Sequence, residues 1–264
     1  MKGLVLVASV ACASLLAATT ARAEAPADVF DGAGVFVDNT ANFPGPWRLA
    51  QMLEDAHFTW VAMHVHNGLS EIGIDHLWID VLHAHGLLVG AWGTEGSHPL
   101  IDAVLADLEL RAGGFDFYVA DAEGPYQRTW GGGWRSKTFV EVFRDLQPTI
   151  PAALTTYGAA RAPWVLPIDY GSWRNAGFDL LPQAYYNQFP RVYRPDQTVA
   201  HSLRAGWPLE RVHPVIGVYR KFPAWRYVPL LQQAGATGFS VFLADQATAE
   251  DYIALSQLVP APSR

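Results

Sequence analysis

Cysteine is almost missing from this chain: the single one is Cys12, inside an apolar N-terminal run. That excludes a disulfide framework and a thiolate zinc site from everything downstream. Positive charge is scarce as well. Against 25 acidic residues stand 18 lysines and arginines, a formal charge of −7. Such a balance argues against nucleic acid and against an anionic membrane surface as main partner, and it suits an uncharged ligand. No repeat, low-complexity tract or Pro/Ser linker interrupts residues 24–264, which implies one domain.

The apolar N-terminus reads as a secretory leader. Lys2 supplies the positive start, Gly3 to Thr20 is uncharged, and Ala21-Arg22-Ala23 offers a cleavage site before Glu24. The run is just long enough for an uncleaved bilayer anchor, but its small-residue site and many Ala and Ser residues favour cleavage. Lipid attachment at Cys12 is weaker, because Ser9-Val10-Ala11 is a poor lipid-attachment signal and the apolar run continues past the cysteine. The expectation is a signal peptide over 1–23 and a secreted, periplasmic or cell-envelope domain over 24–264, with no membrane contact after cleavage. Loss of Lys2 and Arg22 takes the charge from −7 to −9.

A mature chain of about 240 residues without staples needs one large core, and about 250 is the usual size of an α/β barrel. Strand-like apolar runs recur eight times: Gly34–Asp38, Thr59–His66, Leu87–Gly93, Phe115–Glu123, Ala152–Tyr157, Phe178–Tyr186, Val212–Tyr219 and Thr237–Asp245. Helix signals lie between them. Ser97 with Pro99 opens a helix that stops at Gly113-Gly114, and Ser136 opens one that ends before Pro148. Thr248 with Asp251 forms a capping box for the last. The connection from Ala159 to Gly177 is the least helical. Strict alternation predicts an α/β fold, a single (β/α)8 TIM barrel; a doubly wound open sheet shares the periodicity and is the alternative.

Barrel chemistry sits at the C-terminal strand ends. Polar groups collect there: Asp38 and Asn39; His64, His66 and Asn67; Thr94 and Glu95; Asp121 and Glu123; Tyr157; Tyr185, Tyr186 and Asn187; Tyr219 and Arg220; Asp245 and Gln246. The sharpest signal is the run from Phe115 to Glu123. Alternation puts Phe117, Val119, Asp121 and Glu123 on one face, with the two acids at the mouth. Two ionised carboxylates so placed repel, so one is driven to hold a proton near neutral pH. Cleaving a glycosidic bond needs that pairing, an acid for the leaving oxygen and a carboxylate to stabilise what develops opposite. The plain structural alternative is a pair bridged to Arg220 or Arg161, or an acid capping the next helix.

These residues resemble two sugar-hydrolase families built on the barrel. In glycoside hydrolase family 18, the chitinases, strand four ends in D-x-x-D-x-D-x-E; this chain matches at Asp116, Asp121 and Glu123 and departs at Val119. Gln183-Ala184-Tyr185-Tyr186-Asn187 is similar to that family's Q-x-Y-N-like stretch on strand six, with one residue too many before the Asn. In family 25, the muramidase-type lysozymes, an Asp ends strand one and a D-x-E ends strand four, as Asp38 and Asp121/Glu123 do here. Val89-Gly90-Ala91-Trp92 is similar to that family's strand three, where a Tyr usually stands at the Trp92 position. The resemblance implies Glu123 as general acid and Asp121 as its partner orienting an N-acetyl group. It implies Tyr185 as a hydrogen-bonding aid and Asp38 as a charge across the barrel. The implied substrate is an N-acetylhexosamine-containing polysaccharide, peptidoglycan or chitin-like. Val119 leaves the family 18 proton relay without its third Asp.

The loops add rings and polar groups suited to a sugar face. Tyr126, Trp130 and Trp134 follow the acid pair, beside glycines that permit movement, and Trp92, Tyr157, Gln183, Asn187, Tyr219 and Asp245 complete the expected binding set with His64 and His66. Burial of the loops by these same rings is the alternative for each of them. The H-x-H of His64 and His66 also occurs in metal-dependent hydrolases, which need further His ligands; His201 reads as helix and His213 falls at the wrong strand end. The expectation is no metal and no cofactor, with a metal-dependent hydrolase or deacetylase, or a catalytically silent glycan-binding barrel, as rivals.

Overall fold

Eight parallel strands pair in chain order: β1 (Gly32–Val37), β2 (Trp60–Asn67), β3 (Leu88–Thr94), β4 (Phe117–Asp121), β5 (Ala152–Tyr157), β6 (Asp179–Ala184), β7 (Val215–Gly217) and β8 (Gly238–Phe242). β1 pairs with both β2 and β8, so the sheet closes and the open-sheet alternative falls away. The computed structural model describes residues 29–127, 131–158, 168–189, 193–219 and 222–259. The leader, Trp130, Arg161 and Arg220 lie outside them.

Helices α1 (Pro46–Asp55), α2 (His76–Ala84), α3 (Pro99–Gly113), α4 (Gly132–Leu146), α5 (Tyr170–Asn175), α6 (Pro195–Arg204), α7 (Val228–Ala234) and α8 (Ala249–Ser256) alternate with the strands. The start of α3 at Pro99 and its stop at a left-handed Gly114 follow the sequence signals. So does the Thr248/Asp251 capping box of α8. Helix α4 differs: it begins at Gly132, after a left-handed Gly131, and Ser136 is buried inside it. β4 ends at Asp121, and β7 is only three residues long, shorter than the apolar run around it.

Two apolar layers result from strand alternation. One lies between sheet and helices; the other fills the barrel with Phe36, Trp60, Trp92, Phe117, Val119, Leu181 and Val215. Val29 and Phe30 close the N-terminal end, where Phe30 meets Trp60 and Phe117 edge-on at 5.8 and 5.2 Å. Large rings need small neighbours. A Cβ on Gly34 would stand 2.0 Å from the Trp60 ring, so the backbone of β1 approaches that ring as only glycine allows.

Candidate active site

At the opposite, C-terminal end the interior opens into a cavity of about 330 Å³. Its walls are aromatic: Phe36, Trp92, Tyr185, Tyr219 and Phe242. Phe242 stacks on Tyr185 at 5.5 Å and meets Trp92 edge-on at 5.8 Å. The polar groups are Asp121, Glu123, Thr155, Gln183, Gln188 and Gln246. A mostly apolar concavity with a few converging polar groups is the usual form of a small-ligand site.

The carboxylate pair lies within it. Asp121 ends β4, and Glu123 follows where the chain has left strand geometry. Gln183 ties them together from β6: its amide nitrogen donates to Glu123 Oε1 at 2.7 Å and lies 3.5 Å from Asp121 Oδ1. Tyr157, at the end of β5, also hydrogen-bonds Glu123, and burial followed by that charge raises its hydroxyl pKa. Burial first, and the Glu123 charge second, hold the Asp121 carboxyl well above the usual carboxylate range. The pair is thus driven to share one proton.

Of the residues expected from sequence, Trp92, Asp121, Glu123, Gln183, Tyr185 and Tyr219 line one cavity, and Tyr157 touches it through Glu123. The rest stand elsewhere. Asp38 is bound to His64 Nδ1 at 2.7 Å, and the His64 ring stacks on Trp92 at 4.1 Å, behind the cavity wall. Tyr126 is buried against α3, its hydroxyl on Asp102 at 3.0 Å. Asn187 fastens two loops through the Tyr219 carbonyl at 3.2 Å and the Tyr227 hydroxyl at 3.1 Å. Asp245 accepts from Asn42 beyond β1. Trp134 is exposed in the first turn of α4 with the Arg135 guanidinium 5.7 Å from its ring. Trp130 lies outside the described residues.

His66 departs most from expectation. Positions 64 and 66 should share a face, but the pairing of β2 with β3 shifts between them, where His64 meets Trp92 and His66 meets Gly93. That bulge turns His66 to the outer layer. There Tyr118 Oη lies 2.8 Å from both His66 Nε2 and Glu95 Oε1, all three side chains buried. His66 Nδ1 faces the Gly68 carbonyl at 3.2 Å. Tyr118 donates its hydroxyl proton to Glu95 Oε1, and its oxygen faces His66 Nε2. Burial shifts both ionisable groups. It lowers His66 to about 4 and, with the Asp102 charge, raises Glu95 well above the carboxylate range. The two histidines therefore do not face one point. Among the described residues no group of three or more His, Cys, Asp or Glu could hold a metal ion.

Sequence reasoning missed Phe36, Thr155, Gln188, Val215, Phe242 and Leu243 as cavity residues. Parity along β1, β5 and β8 carried the signal for Phe36, Thr155 and Phe242. Two other residues of the family 18 pattern are also placed. Asp116 is at the far end of β4, held by His83 at 2.8 Å and the Val89 N–H at 2.9 Å, and Val119 is packed in the barrel interior.

No family model and no curated protein matches the sequence. Solved structures do match, and their class is the (β/α)8 barrel of glycoside hydrolases. The chain is similar to a GH18 chitinase from Pseudoalteromonas aurantia (TM-score 0.66, 14% identity, 86% of this chain and 99% of that one). It is also similar to a GH18 chitinase from Cycas revoluta in complex with (GlcNAc)4 (TM-score 0.63, 10%, 86% and 99%). A third is the spore cortex-lytic enzyme SleL of Bacillus cereus (TM-score 0.64, 9%, 87% and 75%). At these identities the likeness is one of fold, and it is the fold that the family 18 resemblance implied.

Proposed function

We propose that this chain is an exported glycoside hydrolase acting on an N-acetylhexosamine-containing glycan, chitin-like or peptidoglycan. The observation that carries the reading is the Gln183 amide shared by Asp121 and Glu123 in an aromatic cavity. The proton that the pair shares is given by Glu123 to the glycosidic oxygen as the bond to the anomeric carbon breaks. The sugar's own acetamido oxygen bonds that carbon from the other side. Asp121, now anionic, accepts the acetamido N–H and offsets the positive charge of the closed ring. Water then attacks the anomeric carbon, the bond to the acetamido oxygen breaks and restores the neutral acetamide, Glu123 takes the water's proton, and configuration is retained. Tyr185 supplies a hydroxyl beside the acetamido group, and Phe36, Trp92 and Phe242 offer faces to the sugar. With Val119 below, no third Asp stores the proton, so the pair shares it alone.

That same Val119 favours one second reading, a barrel that binds glycan without turnover. Release of reducing ends from chito-oligosaccharides and from peptidoglycan separates the two. Glu123→Gln is expected to lose about 10²–10⁴ in rate while keeping its melting temperature and glycan affinity. Equal turnover by the variant overturns the assignment; binding without cleavage by the native protein moves the second reading to first. The leader reading adds a mature N-terminus at Glu24, which sequencing of exported protein checks.

A further inference from the structure

We infer that the rim between β7 and β8 carries a second carbohydrate subsite, centred on Trp225, for the sugars of a chain running out of the Asp121/Glu123 cavity. The inference rests on the glycan reading above. Beside the cavity lies a groove of about 590 Å³ lined by Val218, Phe222, Trp225, Gln246, Thr248 and Glu250, among others. It adjoins the cavity twice. Gln246 lines both, and Val218 is followed directly by Tyr219, a cavity residue.

Trp225 is 61% exposed, in a protein whose large rings are mostly buried. Its place is fixed by hydrogen bonds rather than by a slack loop. Asp251 Oδ1 accepts the backbone N–H of Ala224 at 2.7 Å, while Oδ2 accepts that of Thr248 at 3.0 Å. The segment bearing Trp225 is thus pinned to the start of α8, which supplies the other side of the groove. Phe222 is wedged edge-on against Tyr186 and Tyr227 at 5.7 and 5.3 Å. The Arg226 guanidinium, 5.4 Å from the Trp225 ring, steadies the indole.

A rigid ring beside an amide, a hydroxyl and a carboxylate suits an uncharged, hydroxyl-rich ring. Its C–H face lies on the indole, and its hydroxyls reach Gln246, Thr248 and Glu250. The carboxylate of Glu250 disfavours an anionic occupant. A polymer held in the cavity presents such rings next, at no further cost in translational freedom.

The test is titration calorimetry with chito-oligosaccharides of two to six sugars. It uses Glu123→Gln protein, so that ligand is not consumed, and the same protein carrying Trp225→Ala. Affinity in the parent should grow with length beyond the dimer. Trp225→Ala should remove that growth, a loss of roughly 10-fold or more for the longest ligand, and Trp225→Tyr should restore most of it. Dimer and hexamer bound equally by the parent, or an affinity loss equal at every length, overturns the subsite and leaves the cavity reading standing. If no oligosaccharide binds at any length, the glycan reading itself fails and the subsite with it.

Discussion

The Gln183 side-chain nitrogen stands 2.7 Å from Glu123 and 3.5 Å from Asp121, so one donor on β6 serves both acids on the β4 side. A hydrogen bond to a charged group contributes about 1.5–3 kcal/mol, or roughly 10–100-fold in rate if it acts in the transition state. Gln183→Leu is therefore expected to lower kcat by about that factor. Loss of a donor to the ionised pair should also move the alkaline limb of the pH–rate profile upward. A limb that stays in place, with kcat unchanged, contradicts the role.

Turnover needs one proton on the pair. Burial and the Glu123 charge raise the Asp121 carboxyl, so that proton is retained above the ordinary carboxylate range and lost as pH rises through the raised pKa. Activity should hold below that pKa and fall above it. Asp121→Asn ends the sharing, so kcat should drop and the alkaline limb should move to lower pH. A pH–rate series on both proteins checks the sign.

Gly34→Ala tests the barrel interior. Its methyl would meet the buried Trp60 ring at 2.0 Å, and overpacking of this kind costs about 1–3 kcal/mol. Thermal unfolding should shift down by several degrees, with turnover per folded molecule kept, because Gly34 is remote from the cavity mouth. An unchanged midpoint would show that the ring gives way freely.

The Glu95–Tyr118–His66 array makes a separate statement about pH and stability. Glu95 is raised by burial and then by the Asp102 charge. Its contribution is thus full below the ordinary carboxylate range and is lost as pH rises through the folded value. His66, lowered from 6.5 to about 4, does the reverse: its contribution is present above 6.5 and lost as pH falls toward 4. Above neutral pH only the carboxyl side acts. From the Glu95 side, stability should therefore decline as pH rises from the ordinary carboxylate range toward the raised folded value, by up to about 1.4 kcal/mol per pH unit for each proton lost. Glu95→Gln keeps an acceptor for Tyr118 and cannot ionise, so its decline should be shallower. Parallel declines would contradict a raised Glu95 carboxyl.

The β/α alternation was legible because each strand is a short apolar run and each helix carries a local stop or cap, as at Gly114 and Thr248. Asp121 and Gln183 were legible because parity within a strand decides which way a side chain points, and Glu123 and Tyr185, just past their strands, still line the same cavity. Parity failed where the ladder broke. The bulge between His64 and His66 leaves no mark in composition, yet it sends one histidine outward to Tyr118. It also failed on the longer loops. Tyr126, Asn187 and Asp245 lie on loops whose hydrogen bonds join distant segments, and their partners Asp102, Tyr227 and Asn42 follow only from the closed fold. Asp38 points to His64 for the same reason: the partner comes from the neighbouring strand.

The pairing of β1 with β8 is a latch whose halves are far apart along the chain; Asp31 and Thr237, hydrogen-bonded beside it, are separated by 206 positions. Such a contact bears the largest loop-closure cost in the molecule and belongs to the end of folding rather than its start. Until β8 arrives, β1 and β7 are bare sheet edges, each with a row of unpaired backbone groups. A chain shortened before Gly238 would keep both edges for good. Its failing would be adhesion to its own kind, which is a different defect from a weaker core.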